Sequence, residues 1–339
     1  MAARAQTVAV VLLAAVAASS AGGCSSGGGT RAASPVSSTT SPPTTPGSTP
    51  SSPTPPRYVA ATVGTADSPG DIASGFGSIW VVTHRGAEVD RIDPATNRVI
   101  AKIPSKGSEL IGAAAGAGHV WYLDAGLQTV EGIDPKGNRV TVRTKVDSDG
   151  GGVTAGGGGV WFAGTSGKVV SIDSNTGRIL VSRRLAPVGT YLSAYADAGR
   201  VWVVSPDLSK LFWLDPSTLR VLKQQHLEGD LGTVATGFGA LWVGGDSGPL
   251  YRLDPHTGAV VRRIPLEGVA SIAIGRRLLW VRISDVELVG LNPRTGKTVK
   301  TYRDLPSSEV PGGGIVESAH ALWVVNWTEG NVWRIATAL

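Results

Sequence analysis

The histidines are the first side chains of this sequence to consider for chemistry. There are five, and no two have the spacing of zinc ligands: His84, His119, His226, His256 and His320. We therefore predict no metal site. His84 could act as a general base, and Glu109 and Glu317 are the carboxylates to consider beside it. No nucleophile and base form a recognisable pair, so the catalytic residues stay open beyond these three candidates.

Two other classes of function are disfavoured by composition and local pattern. The glycine runs at 150–152 and 156–159 do not open a helix, so they indicate hairpin turns rather than a phosphate-binding loop. The net charge of +5 comes from 31 basic and 26 acidic residues without a basic run, which is not typical of nucleic-acid binding. We predict no cofactor and no nucleic-acid partner.

The N-terminal segment indicates export. An apolar run from Val8 to Ala18 is short for a membrane span and fits the core of a signal peptide. The only cysteine, Cys24, follows small residues and resembles the lipidated cysteine of a bacterial lipoprotein. We predict a lipoprotein signal peptide at 1–23 and lipidation of Cys24; ordinary cleavage near Ala21 is the alternative. Residues 24–56 are rich in Ser, Thr, Pro and Gly and predict a disordered tether before the folded domain, 57–339.

A tryptophan repeat fixes the architecture of that domain. Seven tryptophans recur every 38 to 43 residues within short apolar runs: Trp80, Trp121, Trp161, Trp202, Trp242, Trp280 and Trp323. Each repeat reads as four short strands, with an Asp-Pro or related turn 12 or 13 residues after six of the tryptophans. The fold class is therefore all-β, a seven-bladed β-propeller. The last repeat lacks a fourth strand, and Tyr58–Val63 is predicted to supply it and close the ring.

Propeller topology assigns each loop to one side. We call the "loop face" the side with the connections between second and third strands and between repeats, and the "turn face" the other side. Twelve acids map to the loop face, against Arg85, Lys106 and Arg282: Asp67, Glu109, Asp124, Asp147, Asp149, Asp207, Glu228, Asp230, Asp246, Glu267, Asp285 and Glu309. The turn face carries ten bases, and the tether leaves from it. Such segregation favours a cationic partner at the loop face, although acids are also common in solvated loops.

Seven residues in loop-face segments are candidate ligand-binding residues: His84, Arg85, Asp124, Tyr191, Asp246, Asp285 and Trp327. Tyr191 and Trp327 lie outside the repeat pattern, so their rings could stack on a ligand. The inner-strand positions that should line the channel are small or apolar: Ile72, Ala113, Val153, Ala194, Val234, Ile272 and Ile315. Glu317 is the exception among inner-strand residues, and a buried carboxylate needs a partner.

The motif at Gly75–Val82, followed by Val89–Val99, resembles the YVTN/YncE-like and streptogramin-lyase-like seven-bladed propellers over about residues 58–339. The resemblance implies the fold strongly and activity weakly, because the shared residues are structural. Lyases of that kind use a magnesium-assisted site with histidines and a glutamate, whereas the loop face here has one histidine, His84.

Together these features predict a lipid-anchored, extracytoplasmic, monomeric propeller. We expect it to act as a non-catalytic binding or scaffolding module that holds a protein, peptide or cell-wall ligand at its acidic loop face. The alternative is a metal-assisted lyase or lactone hydrolase that uses His84, Glu109, Asp246 and Glu317.

Overall fold

The computed structural model describes residues 55–156, 158–197, 199–283, 287–303, 305 and 313–337. The predicted signal peptide, Cys24 and almost all of the tether lie outside the described residues, as do Asp285 and Glu309. No helix in the described part of the chain is long and apolar enough to cross a membrane.

The described residues form 28 strands in six sheets. Four of the sheets take four consecutive strands each: β2 (Pro69–Gly75), β3 (Ser78–Thr83), β4 (Glu88–Asp93) and β5 (Arg98–Pro104); β6 (Leu110–Gly116), β7 (His119–Asp124), β8 (Thr129–Asp134) and β9 (Arg139–Lys145); β18 (Thr233–Gly237), β19 (Ala240–Gly244), β20 (Leu250–Leu253) and β21 (Val260–Ile264); β22 (Val269–Ile274), β23 (Leu279–Ile283), β24 (Glu287–Leu291) and β25 (Thr298–Tyr302). The closing sheet has the order β1-β28-β27-β26, with β1 (Val59–Gly64), β26 (Ile315–Ser318), β27 (Ala321–Asn326) and β28 (Asn331–Ala336).

The sixth sheet has eight strands: β10 (Gly151–Gly156), β11 (Gly159–Gly164), β12 (Lys168–Ile172), β13 (Ile179–Arg184), β14 (Ser193–Asp197), β15 (Arg200–Ser205), β16 (Lys210–Leu214) and β17 (Val221–His226). The all-β propeller is confirmed, but the prediction of seven separate four-stranded blades is not. A parallel pairing of Gly152 with Ser193 joins β10 to β14. Gly152 permits it, because a Cβ there would lie 2.0 Å from the Ser193 hydroxyl oxygen.

The predicted closure by the N-terminal strand is confirmed. β1 pairs antiparallel with β28, with Val63 opposite Val332 and Gly64 opposite Asn331. The strand begins at Val59, one residue later than predicted. Val63 is 4% exposed and packs in a cluster that also contains Trp323, so the first strand completes the core of the last sheet.

The repeat tryptophans are core residues, as predicted. All seven are at most 6% exposed, and they pack between neighbouring sheets. In four repeats the indole N–H donates to the carbonyl oxygen five residues earlier, for example from Trp80 to Gly75 at 3.0 Å. The contact fixes the indole against the first hairpin of its sheet and satisfies a buried donor.

The turns between third and outer strands also form as predicted in six repeats. Their first residue accepts a backbone N–H from two positions later: Asp93, Asp134, Asp173, Asp215, Asp254 and Asn292. Hydrogen bonds from Ser217 and Thr218 lower the pKa of Asp215 to about 2. These aspartates are thus committed to their turns.

Candidate functional site

A cluster of three side chains lies on the loop face where the first, second and closing sheets meet. His84 follows β3, Glu109 precedes β6, and Trp327 follows β27. His84 Nε2 lies 3.1 Å from Glu109 Oε1, and its ring lies 5.2 Å from the Trp327 ring at an angle of 57°. Arg85 is exposed beside them. The structure therefore brings together three of the predicted ligand-binding or catalytic candidates and places a fourth next to them.

The environment of His84 favours packing over proton transfer. Its side chain is 15% exposed, and burial lowers the pKa of the imidazole more than the Glu109 carboxylate raises it; the Arg85 guanidinium lowers it further. Nε2 contacts Glu109, while Nδ1 is buried without a hydrogen-bond partner among the described residues. Because Nδ1 is buried and Nε2 already contacts Glu109, the imidazole is poorly placed to take a proton from a bound substrate.

The remaining described candidates of the loop face, Asp124, Tyr191 and Asp246, do not add a side chain to this cluster. Asp124 is fully buried and stabilises a turn, because its carboxylate accepts from the Ser105 hydroxyl at 2.6 Å and the Leu127 N–H at 2.9 Å. The Tyr191 hydroxyl oxygen is also buried, and burial raises its pKa. Asp246 is exposed. Asp285 lies outside the described residues. Of the three described candidates, Asp124, Tyr191 and Asp246, only Asp246 is thus placed to meet a ligand from solvent.

Glu317 lies on the turn face and not near His84. The His84 N–H donates to Ser68, just before β2, whereas the Ser318 and Ser74 hydroxyls meet at 2.8 Å at the end of β2. At 3.3 Å per residue, the length of β2 separates the two sites by about 20 Å. The carboxylate of Glu317 accepts from Trp280 Nε1 at 2.8 Å and from the Arg276 N–H at 3.1 Å. A single lyase-like or lactonase-like site that contains both His84 and Glu317 does not fit this geometry.

Among the described residues, no group of three or more His, Cys, Asp and Glu side chains could hold a metal ion. The donor sets that the loop face offers are pairs, such as His84 with Glu109.

The inner strands carry a buried polar layer that was not predicted from the sequence. The predicted apolar positions are buried, but the residue before each is polar or glycine in all seven repeats: Asp71, Gly112, Gly152, Ser193, Thr233, Ser271 and Gly314. Asp71 is 1% exposed, and its Oδ2 accepts from the Gly112 N–H at 2.7 Å. Alignment of the repeats on their tryptophans would have revealed this layer, because the position nine residues earlier never carries a large apolar side chain.

Two buried charged side chains, Arg282 and Glu131, were also not predicted from the sequence. Arg282 is fully buried and donates to the Val325 carbonyl oxygen at 2.9 Å, at a position that is Val, Leu, Ala or Gly in the other repeats. Glu131 is fully buried between the Tyr122 hydroxyl at 2.5 Å and Arg143 Nε at 2.8 Å. Burial of the tyrosine and its contact with this carboxylate raise the pKa of Tyr122.

Most of the acids that the sequence assigns to the loop face are exposed. Eight of the twelve acids are exposed: Asp67, Asp147, Asp149, Asp207, Glu228, Asp230, Asp246 and Glu267. Of the three bases assigned to the same loops, Arg85 and Lys106 are exposed and Arg282 is buried. At the rim, Lys145 and Arg184 donate to loop carbonyl oxygens. The described loops therefore present more carboxylates than cations to solvent.

The family model described as outer membrane protein assembly factor BamB matches residues 88–266. This is more than half of the 339-residue chain. The chain belongs to this family. No curated protein sequence matches the chain.

Solved structures similar to this BamB-family chain share its fold at low sequence identity. BamB from Moraxella catarrhalis has a TM-score of 0.61 and 14% identity, over 82% of this chain and 99% of that one. The Cps50 (Swd1) β-propeller domain of Myceliophteria thermophila has a TM-score of 0.64 and 11% identity, over 83% and 100%. A streptogramin B lyase has a TM-score of 0.67 and 16% identity, over 79% and 93%. These similarities concern the fold alone.

Proposed function

We propose that this chain is a lipid-anchored, extracytoplasmic binding or scaffolding propeller that holds a cationic segment of a protein or peptide at its acidic loop face. A cell-wall ligand with cationic groups is the other partner of this chemistry. Membership of a family described as an assembly factor supports a scaffolding role. We count the eight-stranded sheet as two blades, which makes seven blades in a monomeric ring.

The proposed anchoring orients the two faces. In this proposal residues 1–23 are removed, Cys24 carries the lipid, and 24–56 tether the domain at 57–339. β1 pairs antiparallel with β28, so it runs from the turn face to the loop face, and the tether reaches the domain at the turn face. The loop face then points away from the membrane, toward partners in the extracytoplasmic space.

The exposed carboxylates of the loop face are the observation that carries the proposal. Glu228, Asp246 and Glu267 are exposed on neighbouring loops before, within and after the sheet β18–β21. Carboxylates gathered on one face attract cations and raise the rate of encounter with a basic partner. The chain as a whole is basic, at +5, so attraction of a cationic ligand would have to come from this face and not from net charge.

The test removes this charge without disturbing buried residues. The triple variant Glu228→Gln, Asp246→Asn, Glu267→Gln changes the net charge by +3, as does the control Ser182→Lys, Gln224→Lys, Thr301→Lys on exposed positions of the outer strands β13, β17 and β25. The probe is a fluorescent ten-residue lysine peptide, measured by anisotropy at low salt. We expect affinity to fall about tenfold in the first variant and little in the control.

Equal losses in both variants would show attraction by net charge and refute a loop-face site, as would absence of binding to the unaltered chain. The same variants are then compared in cross-linking pull-downs from membranes with Cys24 intact. Partners recovered with the unaltered chain and the control, but not with the first variant, would identify the ligand.

A further inference from the structure

A large cavity lies on the turn face, outside the proposed loop-face site. It has a volume of about 830 Å³ and opens where the hairpins of the first, second, sixth and last repeats meet. Ser74, Phe76, Pro94, Ala117, Arg276 and His320 line it. A second cavity of about 300 Å³ shares Arg276, Glu317 and His320 with it and extends to Arg277. Both volumes are in the range of small-molecule binding sites. We call the two together the turn-face cleft.

The polar side chains of the cleft are departures from the repeat. Five of the hairpins between first and second strands have glycine as the second turn residue, for example Gly77 and Gly118. The sixth hairpin has Arg276-Arg277 instead, and the seventh has Ala319-His320. Ala319 and His320 adopt φ values of 49° and 59°, a backbone conformation that disfavours residues other than Gly, Asn, Asp and His. Two adjacent repeats have thus replaced a structural glycine by cationic or imidazole groups that meet at one cleft.

Glu317 is the third departure, and its hydrogen bonds explain it. In five other repeats the tryptophan N–H donates to a backbone carbonyl oxygen, whereas Trp280 donates to Glu317 Oε2 at 2.8 Å. Glu317 Oε1 accepts from the Arg276 N–H at 3.1 Å and so holds the Arg276 turn beside the cleft. The carboxylate is thus a positioning group.

Arg276 and His320 contact each other at the cleft. Arg276 Nη1 contacts His320 Nδ1. A guanidinium has only donors, so the imidazole nitrogen is the acceptor in this contact. Neither Arg276 nor Arg277 pairs with a carboxylate among the described residues. The cleft therefore offers two guanidinium groups and an imidazole N–H as hydrogen-bond donors. Its two guanidinium charges outnumber the one negative charge of the Glu317 carboxylate.

We infer that the turn-face cleft binds a phosphate-bearing anion. Guanidinium groups bind phosphate oxygens through pairs of parallel N–H donors, and the His320 N–H adds a third direction. Phe76, Pro94 and Ala117 form an apolar wall for the organic part of the ligand. The phosphate group belongs either to a soluble phosphate ester or to the headgroup of a phospholipid. The phospholipid is an alternative because the proposed tether would hold this face toward the membrane.

The test uses the full chain with Cys24→Ser, which removes the proposed lipid, and glycerol 3-phosphate as the probe in calorimetric titration. We expect saturable binding that weakens about tenfold or more in Arg276→Ala, Arg277→Ala. The control Arg178→Ala, Arg220→Ala removes the same charge from exposed positions of the same face and should bind as the unaltered chain does. Glu317→Gln keeps an acceptor for Trp280 but removes the opposing charge, so it should bind the probe a few-fold more tightly.

A second experiment distinguishes a lipid headgroup from a soluble phosphate ester by co-sedimentation of the chain with vesicles. One set of vesicles contains phosphatidylglycerol and phosphatidylcholine, and the other contains phosphatidylcholine alone. Retention on the anionic vesicles that requires Arg276 and Arg277 and is competed by glycerol 3-phosphate assigns the site to a lipid headgroup. Probe binding without vesicle retention assigns it to a soluble ester. Equal loss in the control variant, or no probe binding and no vesicle retention, would overturn the inference. Neither result depends on the loop-face variants, so the two proposals fail separately.

Discussion

Replacement of Glu317 separates a structural carboxylate from a catalytic one. Trp280 is 1% exposed, and Glu317 supplies the acceptor for its indole N–H at 2.8 Å. Glu317→Ala would leave that buried donor unsatisfied, which costs about 1–3 kcal/mol. The second donor, the Arg276 N–H, lies in an exposed turn and can bind water, so its loss adds little. We expect a total loss of about 2 kcal/mol in the free energy of unfolding.

Urea denaturation measures this loss as a lower midpoint with an unchanged slope. Glu317→Gln keeps an oxygen acceptor at the same place and should lose less than about 1 kcal/mol. The comparison uses the difference between the two variants, because both remove the charge and only one removes the acceptor. Equal destabilisation by Ala and Gln would refute the assignment, since it would show that the charge of Glu317 and not its hydrogen bond stabilises the fold.

Two further predictions concern stability. The fold lowers the pKa of His84 below 6.5, so the unfolded chain takes up a proton first as pH falls, and the free energy of unfolding should decrease from about pH 6.5 downward. Urea titrations measure the free energy of unfolding at about pH 7.5 and about pH 5.5, and the difference between the two values should be smaller in His84→Gln than in the unaltered chain. An unchanged difference would contradict the assignment. Gly152→Ala would place a Cβ 2.0 Å from the Ser193 hydroxyl oxygen and should destabilise by about 1–3 kcal/mol. Adding Ser193→Ala should recover most of that loss, and strictly additive effects would show that the two positions do not clash.

The sequence predicts the features of the fold that repeat. The spacing of the tryptophans gives the unit, and residues such as Asp93 and Asp215 give the turns, because each depends on contacts within one repeat. The closing strand was also predictable, since Tyr58–Val63 carries the pattern of an outer strand that the last repeat lacks. The pairing between Gly152 and Ser193 was not, because it depends on how closely two neighbouring repeats approach.

The candidate sites were harder to predict because they form between repeats. Asp124 looked like an open carboxylate of the loop face, but Ser105 and Leu127 turn it inward. The contact between the His84 and Trp327 rings joins residues from opposite ends of the folded domain, which only closure of the ring brings together. The pattern did reveal where the repeat is broken, at Arg276, Glu317 and His320, but their common location required the structure.

The pairing of β1 with β28 also constrains the order in which the molecule can form. Val59 lies opposite Ile335, which is 276 positions later in the chain. During synthesis β1 therefore emerges long before its partner exists, and its unpaired edge is available for incorrect pairing with other strands. Contacts between such distant residues form slowly, because a long loop must close first. Completion of the ring should thus be the last step of folding. A chain interrupted before Asn331 would leave the first strand as an unpaired edge that can pair with strands of other molecules.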